Sequence, residues 1–299
     1  MELRDMLVCL DPTHAGEARL RLAAEIARAC GAVLSAAFLL PEAIPGAPPY
    51  RDGRPIAPPT VAAWMPNPAA IVGDVPASGE GADVMTDGAA LAAIIEERFR
   101  EEVRSQALEG DWHRFGSGEA SDLTALVRTF DLVVYGQESP DWRLPTGFRP
   151  EDMIVAGGRP FLVVPYAGRF AAVGRRVLLA WDGTREAARA LHDALPLIAR
   201  AEAATIMTVR AHETDFESDQ PLLARVEQHL ARHGVKAAHE ESVRGDVPVA
   251  DLLLSRAADL DADLIVAGAY HHSQFREALL GGVSRDLLDH MTVPVLLSH

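Results

Sequence analysis

The chain has 299 residues, of which 48% are hydrophobic, 24% charged and 6% aromatic, and its formal net charge is −15. That length suits about two domains, with enough apolar material to bury real cores. Both halves share the acidic excess, so neither offers the basic face that nucleic acid or anionic lipid would require, and neither partner is expected.

The N-terminus, 1-MELRDMLVCLD-11, lacks a basic segment followed by a long apolar one, so no signal peptide is expected. No apolar run approaches the roughly 20 residues that span a bilayer, and the expected location is the cytoplasm. Cys9 in an apolar strand and Cys30 at a helix end read as reduced thiols.

In chain order, 6-MLVCLDPTHAGEARLRLAAEIA-27 is an apolar run, then Asp11, one turn-forming residue, Thr13 and an amphipathic helix of about four turns. Residues 41–76 then hold ten of the 20 prolines, including 48-PPYRDGRPIAPP-59 and 64-WMPNP-68. Proline at this density excludes a regular helix or a central strand. A long loop in a compact domain is usually functional or disordered. Two readings stay open, a lid anchored by Trp64 and Met65 or a mobile excursion. The segment 96-EERFREE-102 reads as a solvated helix with charge pairs. Apolar strands follow at 131-DLVVYG-136 and 159-RPFLVVP-165, and the link 166-YAGRFAAVGR-175 is short enough to keep the halves packed together.

The second half repeats the first. Segment 177-VLLAWDGTREAARALHDALPLI-198 lies over 6–27 without a gap, and 263-DLIVAG-268 with 293-VPVLLS-298 repeats the closing pair. Strands are expected at about 176–181, 204–209, 237–242, 263–268 and 293–298, and helices at about 184–200, 219–233, 247–258 and 283–290. Strand runs such as VLLAW and DLIVAG are continuously apolar, as expected of central parallel strands covered on both faces. The alternation implies right-handed βαβ units in a doubly wound sheet, with ligands at the carboxyl ends of the strands.

Two tandem copies of strand–Asp–x–Thr–helix, each closing in DL[IV]V-x-G and a Pro-containing strand, resemble the universal stress proteins in their tandem form. The resemblance implies an α/β chain of two tandem doubly wound five-stranded parallel-sheet domains, adenine nucleotide alpha hydrolase-like. They would occupy residues 1–168, with an insertion at about 41–86, and 174–299. It also implies an internal pseudo-dimer through the last strands, 161-FLVVP-165 beside 294-PVLLS-298, with room for a further homodimer. The implied role is a non-enzymatic, cytoplasmic stress-response or regulatory module acting on an unidentified protein partner.

The family's ATP binders carry glycine, two residues, glycine, nine residues, glycine, then Ser or Thr. The matching positions here are Gly268, His271, Gly281 and Gly282, so two of the four fit. Ser284 stands two positions on and could supply a hydroxyl. Asp182 lies where those binders contact adenine, and Gly183, Thr184, Val209 and Val283 complete the candidate nucleotide set. First-half counterparts are Asp11, Thr13, Gly136 and Gly147, with Ser139 where the second glycine belongs. Asp11 and Asp182 also suit helix capping.

The resulting expectation is a degenerate nucleotide or anion site in the second half that binds ATP, or another adenine nucleotide, weakly or not at all. The alternative is an ATP-binding member, or a small-molecule enzyme of a related fold with adenylate chemistry. No G-x-S-x-G elbow, Walker loop or H-E-x-x-H pattern occurs, so no catalytic residue is assigned. His271 and His272 read as a surface-loop pair. His229 and His233, four apart on a helix, read as a solvated face, and no metal is expected.

Overall fold

The structure is a computed structural model that describes residues 2–40, 50–51, 54–55, 88–116, 118–138, 150–199, 201–210, 220–269 and 282–299. The first half runs β1 (Asp5–Leu10), α1 (His14–Cys30), β2 (Val33–Leu39), α2 (Gly88–Ser105), β5 (Trp112–Phe115), α3 (Ala120–Val127), β6 (Leu132–Gly136), α4 (Pro150–Gly157) and β7 (Phe161–Val164). Between β2 and α2, β3 (Tyr50–Arg51) pairs antiparallel with β4 (Arg54–Pro55). The rest of the proline-rich insertion, with Trp64 and Met65, lies outside the described residues.

The second half runs β8 (Arg176–Ala180), α5 (Arg185–Ile198), β9 (Ala203–Arg210), α6 (Gln220–Arg232), β10 (Ala237–Val243), α7 (Val249–Asp259), β11 (Leu264–Gly268), α8 (Gly282–His290) and β12 (Val295–Ser298). The expected last strand loses its first two residues. Pro294 has no N–H for the ladder; it only accepts, through its carbonyl, from Ile265 N at 3.0 Å.

Ten strands form one sheet in the order β10-β9-β8-β11-β12-β7-β6-β1-β2-β5. Within each half all neighbours are parallel. Each half therefore has its first strand between its second and fourth, which places the topological switch point there. At the centre β7 and β12 pair antiparallel, with Leu162 opposite Leu296 and Val163 opposite Val295. Gln137, just past β6, adds a second tie: its Nε2 donates to the carbonyls of Leu288 (2.8 Å) and Asp289 (3.2 Å) in the last turn of α8.

Strand side chains alternate between two covered faces. Met6, Val8, Val177 and Leu179 join one core, and Leu7, Cys9, Leu178 and Ile265 join the other. Burial on both faces explains the continuously apolar strand sequences.

The aspartate that opens each DL[IV]V copy has a structural task. Asp131 accepts from the backbone N–H of Arg4 (2.8 Å) and Asp5 (3.1 Å). Asp263 accepts from Gly174 (2.9 Å), Arg175 (3.1 Å) and Arg176 (3.1 Å). In both halves one carboxylate therefore catches the chain as it enters the first strand.

Candidate functional site

The first-strand turn is built the same way in each half. Thr184 is the N-cap of α5, its Oγ1 accepting from Ala187 N at 3.2 Å. Asp182 Oδ1 accepts from both Thr184 N (3.0 Å) and Thr184 Oγ1 (2.6 Å), which aims the hydroxyl oxygen at the helix. Thr13 caps α1 likewise, through Gly16 N at 3.1 Å, with Asp11 behind it. The caps are thus the threonines, and the aspartates orient them. Gly183 takes φ 78, a left-handed turn. Pro12 holds the matching place in the first half, so the two turns differ in backbone.

At the switch point of the second half this turn borders a cleft of about 270 Å³. Its walls come from the strand ends Ala180, Trp181, Met207, Val209, Ala267 and Gly268, and from Ala187, Val249 and Leu253 on the covering helices. Asp182 stands at one side, and Gly282, Val283 and Ser284 at the start of α8 stand at another. Small residues where strands meet helices leave the space open. Among the described residues no lysine or arginine lines it.

The candidate set divides here. Asp182, Val209, Gly268, Gly282, Val283 and Ser284 line the cleft, whereas Gly183 and Thr184 build the turn beside it. His271, Gly281 and Gly147 lie outside the described residues, as do His272 and Ser139. Gly268 has a packing reason of its own. A Cβ there would stand 2.6 Å from Ala187 N and 2.7 Å from Glu186 C, because β11 ends against the first turn of α5. Gly282 is unconstrained, with nothing within 4 Å of an added Cβ. The sequence reading missed Trp181, Met207, Val249 and Leu253. Their apolar character marked them only as core.

The first half builds the equivalent ground with larger side chains. In the gapless repeat Arg19 matches Ala190, and in the DL[IV]V copies Tyr135 matches Ala267. Arg19 is 3% exposed; its guanidinium pairs with Asp11 and donates from Nε to the Cys9 carbonyl at 2.8 Å. A Cβ on Gly136 would lie 1.8 Å from Arg19 Nη1. Asp11 thus both orients the capping Thr13 and holds an internal ion pair with Arg19. Thr13 is the cap, and Gly136 is the floor beneath a guanidinium. Burial pushes the Cys9 thiol up to about 12. Burial, with Cys9 beside it, also holds the Tyr135 phenol well above its usual value.

His233, one residue past α6, is exposed, and His229 is partly buried. His229 sits between His192 of α5, with ring centroids 4.9 Å apart and planes tilted by 49°, and His233, at 4.7 Å and 60°. Burial first, then His192, His233 and Arg232, pulls the His229 imidazole below its ordinary value. Among the described residues no three His, Cys, Asp or Glu side chains gather in a way that could hold a metal ion.

Two five-stranded doubly wound α/β half-sheets, the second with a cleft at its switch point, have the nucleotide alpha hydrolase-like fold. Residues 174–299 match the model of the Universal stress protein family. The match covers the second half of the chain, and the first half repeats that half's five-strand order. The whole chain is similar in fold to a universal stress protein from Archaeoglobus fulgidus DSM 4304, at 12% identity and a TM-score of 0.66, covering 99% of this chain and 96% of that one. It is also similar to a functionally unknown protein from Pseudomonas aeruginosa PAO1, at 16% identity and a TM-score of 0.54, covering 99% and 92%. A comparison with curated proteins gave no match. Among the described residues no helix is long and apolar enough to cross a membrane.

Proposed function

We propose that the chain is a non-enzymatic, cytoplasmic regulatory module of the stress-response type, whose second half carries a degenerate adenine-nucleotide site. The observation that carries this reading is the composition of the cleft: apolar strand ends, one carboxylate, and among the described residues no cation. The apolar slot beside Asp182 fits a flat base with N–H donors. The opening turn of α8 leaves backbone N–H groups for a phosphate, with Ser284 on the wall. A polyanion meets no lysine or arginine there, so affinity for ATP should be low and ligand state should be read by a protein partner.

Mass spectrometry of gently purified protein tests for a retained nucleotide, and calorimetry of ATP, AMP and adenosine measures the ranking. The expected result is no retained ATP, with adenosine and AMP bound at least as well as ATP. Low-micromolar ATP binding would overturn it in favour of a second reading, an ATP-binding member. The open approach at Gly282 is the observation that favours that reading.

A further inference from the structure

On the other side of Trp181 lies a second cavity, of about 160 Å³, between α5 and α6. Trp181, His192 and His229 give it three ring walls, and Leu191, Leu222 and Val226 give it an aliphatic lining. Arg225 completes the lining, and it makes no hydrogen bond or ion pair among the described residues. Leu222 is 44% exposed, one of few large apolar side chains so open.

These features differ in kind from the core around them. An apolar cavity of about 150 Å³ in another protein is known to bind benzene, so this volume suits one ring and little more. In a chain of net charge −15, surface cations such as Arg175, Arg189 and Arg256 find a carboxylate. Arg225 instead stands uncompensated beside an apolar ring-lined space. We propose that this cavity is a binding site for a small aromatic monocarboxylate, its ring held by Trp181, His192, His229 and the aliphatic lining, and its carboxylate paired with Arg225. The site is separate from the cleft between β8, β9 and α8 and stands or falls without it. It shares only Trp181, which lines both spaces.

Sodium benzoate, titrated into the full chain by calorimetry and by NMR of the histidine ring protons, is the probe. Saturable binding is expected, with shifts at His192 and His229. Arg225→Gln should weaken it about tenfold or more, since a charge-assisted bond is lost, while Arg225→Lys should retain part of it. Benzyl alcohol, which keeps the ring without the charge, should bind about tenfold or more weakly. Arg225 is exposed, so neither variant threatens the fold. The proposal is overturned by absence of saturation, by equal binding of benzyl alcohol, by unchanged affinity in Arg225→Gln, or by shifts confined to the cleft around Asp182.

Discussion

Arg19 lies so close over Gly136 that a Cβ on the glycine would come within 1.8 Å of the guanidinium. The same guanidinium holds Asp11 and the Cys9 carbonyl, so one side chain locks the ends of β1 and β6 together. Removing it leaves a largely buried carboxylate uncompensated. Arg19→Ala should therefore cost about 3–5 kcal/mol, the range for breaking a buried pair from one side. Urea denaturation checks this, and a cost under about 1 kcal/mol would mean that the pair is solvated in practice.

Gly268 and Gly282 occupy neighbouring places in the cleft but answer to different constraints. Gly268→Ala pushes a methyl into the backbone of Glu186 and Ala187, and overpacking of this kind costs about 1–3 kcal/mol. Gly282→Ser meets open space and should leave stability within about 0.5 kcal/mol, while adding a hydroxyl at the start of α8. Thermal melts of both variants give the order, and a melt lowered more by Gly282→Ser than by Gly268→Ala contradicts it.

Protonation should destabilise the histidine cluster. Because the folded state pulls the His229 imidazole down, the unfolded chain binds the proton more readily, and stability falls as pH drops. The loss begins near the unfolded value of about 6.5 and is complete below the folded one. Melting temperature measured from pH 8 to pH 5 should fall, and His229→Gln should reduce that fall. An identical pH profile in the variant would remove His229 from the account.

Asp263 serves three backbone donors and Asp131 serves two. Hydrogen bonds to a charged acceptor contribute about 1.5–3 kcal/mol when buried, and less at these partly exposed strand entries. Asp263→Ala should thus destabilise the chain more than Asp131→Ala. Chemical denaturation of the two variants decides the order, and a reversed order would mean that bond number is not what matters.

Much of the fold could be read from the sequence because it is written in local patterns. The apolar runs, the Thr caps and the two DL[IV]V copies each declare an element within a few residues. Val295 rather than Val293 opens the last strand because proline interrupts the ladder, a detail of one missing N–H. The site was legible only where it coincides with turns, at Asp182, Gly268 and the start of α8. Arg19, Tyr135 and Trp181 carried no such signal. Whether an arginine on a helix faces water or folds over a glycine 117 positions later is decided by tertiary packing. His192 joined His229 and His233 for the same reason, since the contact crosses two helices whose spacing no local period reveals.

The antiparallel meeting of β7 and β12 gives the molecule a polarity. Strands run parallel within each half and reverse across the seam, so the carboxyl-end mouths of the two halves open on opposite edges of the sheet. A symmetric pair of identical subunits would look the same from either edge. Here one edge bears the slot beside Asp182, and at the other the Arg19 guanidinium lies over Gly136. The two edges therefore present different chemistry, and the molecule has a defined front and back along its sheet.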